Sequence, residues 1–295
     1  MGVTSVGKLF YRAKEVIDEM VPIAEGRIEG TTIEKMVKKR LSALTGGYGW
    51  GLLSIGRKPI DYTKLTTHIA YMYRSFSAHA DWVCQALDHA SIIVASRFKK
   101  RKIRIACIGG GPGSDIAGVL KFAEEHQLLD AKFEFTVLDR EEAWDEVRDA
   151  LINTYEGEAN TTTTYQLLDL AAGEPWTDDW SFVESDLFIF SFVLSEVWSF
   201  NKSGSVSGFI ERLVSKAPKG ALICYVDNGG SNFTPLVEKE FDGRKDLKLI
   251  GSRDSDRLFM DFDEQCAVIE DAYRGRFGER PKLTGNVALR VWQKI

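Results

Sequence analysis

No two cysteines stand close enough along the chain to form a CxxC unit; Cys84, Cys107, Cys224 and Cys266 are the only four in 295 residues. Histidines are equally sparse, four in all and unclustered. The sequence therefore offers no metal-ligand spacing, and no metal is expected. Scattered thiols of this kind are expected to be reduced and mostly buried, as in an intracellular protein. Long apolar runs are also missing. Nothing approaches the roughly 18 residues that span a bilayer, so no membrane is expected as a partner. The opening MGVTSVGKLF is neither a signal peptide nor a myristoylation match, since Val6 stands where Ser or Thr is needed. A cytoplasmic location is expected, with the nucleus as the alternative. Positive charge is not in excess: 38 Lys and Arg against 43 Asp and Glu leave a net charge of -5. A nucleic-acid binder would have to rely on a local patch.

What is present is ordinary for a globular chain, with 44% hydrophobic and 27% charged residues. The length allows one large domain, or a domain with a substantial appendage. Composition changes near residue 100. Residues 1–100 read as a helical N-terminal cap and 101–295 as a second region. In the first, Thr31 and Glu34 stand at capping-box spacing before Ile33, Val37 and Leu41, which predicts a helix over 32–44. The following GGYGWGLLSIGRKP (46–59), with five glycines around Tyr48 and Trp50, reads as a mobile connector with aromatic contacts. From Asp61, an apolar stripe through Leu65, Ile69, Met72, Phe76, Ala80, Val83 and Leu87 predicts one continuous helix of seven turns. Its second face carries His68, Tyr71, Ser75, His79 and Trp82, with Arg74 close by. That is either a packing or solvated face, or a helix laid over a ligand mouth with Tyr71, Arg74 or His79 reaching in.

The second region holds strand-like runs at 103–109, 133–139, 163–170, 186–192, 220–227, 247–252 and 287–294. Helical patterns at 115–126, 141–155 and 206–216 separate strands among the first five. Alternation of this kind predicts right-handed crossovers and an α/β fold with a mostly parallel sheet covered on both faces. The last two runs are expected to supply an antiparallel edge strand.

The first strand ends in IACIGGGPGSD, with Gly109, Gly110, Gly111 and Gly113 at its tip. Glycine belongs where the backbone takes positive φ or where a ligand touches main chain. A phosphate-binding P-loop fails, because Val119 and Leu120 follow Gly118 where Lys and Ser or Thr are needed. The dinucleotide fingerprint is weakened, because Ser114 stands at its third glycine. GxGxG remains. With it the chain resembles the class I S-adenosylmethionine-dependent methyltransferases, whose first motif is an apolar strand ending in this pattern. The resemblance covers about residues 103–295. It implies a Rossmann-like seven-stranded sheet and S-adenosyl-L-methionine as cofactor, held by Gly109, Gly110, Gly111 and Gly113. It further implies Asp139 for the ribose, Asp169 and the Leu170 amide for the adenine, and main chain at Ser191 and Phe192. The family often carries Asp or Glu two positions before the first glycine; here that residue is Cys107. Asp115, or a residue of the N-terminal helices, is expected to replace it, and Arg74 is a candidate partner for the cofactor carboxylate.

Methyl transfer is an in-line displacement that depends mainly on positioning. The NPPY-type and PC signatures of nucleic-acid methyltransferases are absent, and SFVLSE follows strand four. Glu196 is the candidate catalytic residue there, with Tyr71, His79, Trp198 and Asn228 as candidate substrate contacts. Two acceptor classes stay open. A ribosomal RNA is suggested by similarity of IGGGPGSD and YMYRSFSAHADWV to ribosomal-RNA methyltransferase-like proteins, and by the basic runs KMVKKR (35–40) and RFKKRK (97–102). A small molecule would suit a helical cap. A degenerate fold serving as a ribosome-associated scaffold is the third alternative.

Overall fold

The computed structural model describes residues 8–47, 60–198, 200, 204–231, 233–261 and 266–295. The expected connector around Tyr48 and Trp50 thus lies outside the described residues over 48–59. Five helices come first: α1 (Leu9–Arg27), α2 (Ile33–Gly47), α3 (Leu65–Tyr71), α4 (Ser77–Asp88) and α5 (Ser91–Phe98). Helix α2 forms where the apolar spacing puts it. Its cap is Thr32 rather than Thr31, since Thr32 Oγ1 accepts from the Lys35 amide at 3.4 Å.

The seven-turn stripe forms one helical run from Leu65 to Asp88, but a π turn over Met72–Phe76 joins α3 to α4. A π turn adds a residue to the repeat and so rotates the next stretch of helix about its axis. Both faces of the run are interior: Ile69, Phe76 and Val83 are buried on one, His68, Ser75, His79 and Trp82 on the other. Among the described residues no helix is long and apolar enough to cross a membrane.

The remaining elements build the sheet and its helices. They run β1 (Lys102–Ile108), α6 (Ser114–Glu125), β2 (Lys132–Asp139), α7 (Asp145–Asn153), β3 (Thr161–Leu167), β4 (Leu187–Ser191), α8 (Leu194–Trp198) and α9 (Ser205–Lys216). After these come β5 (Leu222–Asn228), α10 (Thr234–Val237), β6 (Leu247–Phe259), α11 (Ala267–Phe277) and β7 (Thr284–Lys294). The sheet order is β3-β2-β1-β4-β5-β7-β6. Strands β1 to β5 pair in parallel, while β7 runs antiparallel to both β5 and β6 and sits one place in from the edge.

Strand alternation assigns the core. On β1, Ile103, Ile105 and Cys107 face the layer of α1, α4 and α6, whereas Ala106 and Ile108 face the layer of α9. The N-terminal helices thus share one apolar cluster with one side of the sheet. Burial on both faces is why β4 and β5 read as unbroken apolar runs.

Candidate functional site

Between β1 and β4 the order of the sheet reverses. Open α/β sheets receive ligands beyond the carboxyl ends of their strands at such a point. A cleft of about 790 Å³, open to solvent, lies there. Gly109, Gly111 and Pro112 line it from the turn after β1, and Asp139, Arg140, Glu141 and Trp144 from the segment after β2. Leu168, Asp169 and Leu170 follow β3; Ser191 ends β4, and Phe192, Val193, Glu196 and Val197 follow it; Tyr62 and Tyr71 close the cleft from the N-terminal side.

Asp139 is held by its surroundings. Its Oδ2 accepts from the Gly111 amide and its Oδ1 from the Glu141 amide, each at 2.9 Å. Burial raises the carboxyl above its usual range, and these two N–H groups offset only part of that rise. An ionised carboxylate has about four lone-pair sites, so two remain for a ligand. Gly111 takes φ +41°, and a Cβ there would stand 3.4 Å from Trp144 Nε1, filling the space between indole and cleft. Trp144 itself is wedged between His68, whose ring stacks on it at 4.0 Å, the tilted ring of Tyr62 at 5.3 Å and the edge-on ring of Tyr71 at 5.6 Å.

Beneath the glycine turn lies Asp115, in the first turn of α6 and 2% exposed. Burial pushes its carboxyl well up. Its Oδ2 and the Ser191 Oγ are buried with no partner beyond each other. Buried polar atoms of this sort are normally satisfied. Phe192, just after β4, has φ +55°, a left-handed conformation uncommon for an aromatic residue. It turns the chain so that Val193 and Glu196 meet the cleft.

Of the residues singled out in the sequence, nine meet at the cleft: Gly109, Gly111, Asp139, Asp169, Leu170, Ser191, Phe192, Glu196 and Tyr71. The others do not line it. Gly110 packs on Cys107, where a Cβ would lie 2.8 Å from the Cys107 Cβ. Gly113, at φ +92°, is the N-cap of α6. Arg74 points elsewhere, because the π turn aims it at the Arg280 carbonyl and toward Glu279, 3.7 Å away. Trp198 lies under Lys239, whose Nζ is 5.7 Å from the ring centre. Asn228 is taken up by the end of its own strand, donating to Ser195 Oγ at 2.9 Å and to Asp227 Oδ1 at 3.3 Å. His79 stands behind Tyr71, 2.7 Å from its hydroxyl. The basic run 97–102 precedes β1, at the amino edge of the sheet and opposite the cleft. There Lys100 pairs with Asp186 and Lys102 with Glu134.

No family model matches the chain, and no curated protein matches its sequence. Solved structures do resemble it. A Pyrococcus horikoshii protein described as a candidate RNA methyltransferase shares 13% identity at a TM-score of 0.46, over 88% of this chain and 98% of that one. TehB from Haemophilus influenzae gives 15% and 0.43, over 72% of this chain and 62% of its own length. A precorrin-6y C5,15-methyltransferase from Geobacter metallireducens gives 12% and 0.37, over 70% and 88%. The fold is Rossmann-like by its own strand order and pairing. Likeness at this level carries no argument about activity, which must come from the chain's own residues.

Several lining residues gave no sequence signal. Tyr62 precedes its helix, and Trp144 belongs to a turn of 3-10 helix before α7. Neither lies on a periodic face, so only the folded chain brings them together.

His68 supplies a measurable consequence of this packing. Burial holds its imidazole down at about 4, from an ordinary 6.5, although the Tyr62 carbonyl and Glu146 favour the charged form. The folded chain keeps His68 neutral while the unfolded chain protonates it, so stability falls as pH drops from 6.5 toward 4. At about 1.4 kcal/mol per pH unit, the full loss is roughly 3 kcal/mol. The stability difference between wild type and His68→Gln, from urea unfolding, should therefore shrink by about that much over this interval. An unchanged difference would show that His68 does not set the acid sensitivity.

Proposed function

We propose that the protein is an S-adenosyl-L-methionine-dependent methyltransferase with a small-molecule acceptor. The observation that carries the reading is the Asp139 carboxylate, fixed by the Gly111 and Glu141 amides with two lone pairs left over at the mouth of the switch-point cleft. This arrangement suits the vicinal hydroxyls of a ribose. Asp169 and the Leu170 amide, on the loop after β3, flank the place of the adenine. The Asp169 side chain already caps its own turn through the Ala171 amide at 2.9 Å, which fixes its orientation. Toward the other end, the buried Asp115 Oδ2 and Ser191 Oγ, which have no partner beyond each other, provide acceptors for an ammonium. Asp115 thereby does from α6 what Cys107 cannot do from β1. The N-terminus of α6 favours negative charge, and a carboxylate of the ligand can meet its amides.

The cofactor, when bound, supplies a sulfonium methyl group as electrophile. The chain's part is to hold the acceptor in line with it and to keep water out. Tyr71, Phe192, Val193 and Val197 form a largely apolar wall for this, and Glu196 is the carboxylate positioned to orient an acceptor. A small molecule fits such a wall better than RNA does, because the 97–102 cluster sits at the far edge of the sheet.

Calorimetry with S-adenosylhomocysteine is the direct test. Wild type should bind one equivalent. Asp139→Ala should weaken binding at least about 100-fold, the loss of charge-assisted bonds to two hydroxyls. Equal binding by wild type and variant would show that the site is misassigned.

A further inference from the structure

Behind the cleft wall runs a line of polar groups that the cofactor does not need. Tyr71 lines the cleft and its hydroxyl is 2.7 Å from His79 Nδ1. On the other side of the same ring, His79 Nε2 is 3.5 Å from Lys282 Nζ. The imidazole cannot turn freely, since it stacks on Phe192 at 3.7 Å and 12° and lies 5.8 Å from Trp82. The lysine is held as firmly. Its amide donates to the Arg74 carbonyl of the π turn at 2.7 Å, and its ammonium lies 4.8 and 5.0 Å from the rings of Trp82 and Phe192. Lys282 is partly exposed as a residue, but its ammonium is buried against the Trp82 and Phe192 rings, and His79 is 2% exposed. The line therefore runs from the cleft toward Lys282, the outermost of the three residues.

We propose that Tyr71, His79 and Lys282 form a hydrogen-bonded relay through which the proton of the methyl acceptor leaves the cleft, with Lys282 deciding which way the relay points. The proposal rests on the methyl-transfer reading. Transfer to an N–H or O–H acceptor forms the new bond to carbon and breaks the carbon–sulfur bond. The electron pair goes to sulfur, and one proton is left over. Tyr71 is kept neutral by burial, so it can take that proton only by passing on its own. Its hydroxyl hydrogen moves to His79 Nδ1, the hydrogen on Nε2 moves to a neutral Lys282 amine, and solvent receives it from there.

Direction follows from the lysine. As an ammonium it donates to Nε2, so His79 carries its hydrogen on Nδ1, and the Tyr71 hydrogen turns away from His79, toward Ser114 and the cleft. As an amine it accepts from Nε2–H, Nδ1 accepts from Tyr71, and the tyrosine oxygen faces the cleft with its lone pairs. Burial and Arg74 lower the Lys282 ammonium to about 8, against the opposing pull of Asp227 at the end of β5. Burial and Lys282 also hold His79 neutral. The charges around Tyr71 are Asp115, Glu196 and Asp139, none of which touches Lys282.

The test uses the full chain with 15N-labelled histidine, titrated from pH 6.5 to 9.5. In wild type the protonated and unprotonated nitrogen signals of His79 should exchange places with a midpoint near pH 8. Lys282→Arg should hold the Nδ1–H form throughout, and Lys282→Met should remove the midpoint. A constant His79 pattern in wild type, or the same midpoint in both variants, would overturn the relay. Wild type and Lys282→Met should bind S-adenosylhomocysteine alike. Absence of binding by both would overturn the methyltransferase reading, and the relay's task with it, whatever the histidine signals show.

Discussion

Gly109→Ala should lower the melting temperature by roughly 3–10 °C and abolish S-adenosylhomocysteine binding. Two separate costs act at this position. The residue has φ +70°, where a side chain is strained by about 1–3 kcal/mol. A Cβ there would also lie 2.7 Å from Val193 Cβ, and closer still to Cγ2. Val193 cannot retreat easily, because the neighbouring Phe192 is fixed by its left-handed backbone and by its amide N–H, which donates to the Val226 carbonyl at 2.8 Å. Overpacking of this kind costs about 1–3 kcal/mol more. The sum, about 2–6 kcal/mol, corresponds to roughly 3–10 °C for a chain of this size. Any relief comes from moving Val193, and the space it would enter is the cleft. Differential scanning calorimetry and titration calorimetry on one sample check both effects. A variant with unchanged melting temperature and affinity would show that the first glycine turn is looser than this geometry.

The strands were legible because parallel strands covered on both faces are nearly continuous apolar runs. LFIFS of β4 and LICYVDN of β5 are of this type. Where burial is one-sided the ends blur. Strand β6 runs on to Phe259 through RDSDRLF, which carries no apolar run, because pairing with β7 and not composition extends it. Helix α11 was missed for the related reason that Ile269, Tyr273 and Phe277 are its only deeply buried residues. On the cleft, the parts at strand tips were legible, since topology alone puts Gly109, Asp139 and Asp169 on one edge. The parts that come from packing were not. Arg74 lies one helical turn from Tyr71 and was expected beside it, but the π turn rotates it toward Glu279. Lys282 reaches His79 across 203 residues of sequence, and nothing near it in the chain marks it.

A buried ion pair ties the helix of His79 to the sheet layer behind the glycine turn. Helix α4, which carries His79, is fixed to α6 by Lys121 and Asp81, whose Nζ and Oδ1 are 2.6 Å apart with both side chains at most 5% exposed. Asp81 Oδ2 also accepts from Gln85 Nε2 at 2.7 Å and from the Asp261 amide at 3.0 Å, so the end of β6 joins the contact. Removing one member of such a pair leaves the other charge buried, and this costs more than the pair contributes when intact, about 3–5 kcal/mol. Lys121→Met should therefore destabilise the protein by about that amount. Adding Asp81→Leu to it should recover about half or more, since the stranded carboxylate is then gone. The double-mutant cycle in urea measures this directly. If Lys121→Met costs under about 1 kcal/mol, the carboxylate is reached by water or takes up a proton, and the pair does not fix α4 in place. The cleft gives a second readout. The pair lies between α4 and α6, and α6 begins at the glycine turn, so loosening α4 should move Tyr71 and His79 while leaving Asp139 in position. Lys121→Met should accordingly keep the affinity for S-adenosylhomocysteine while changing the histidine signals of the relay.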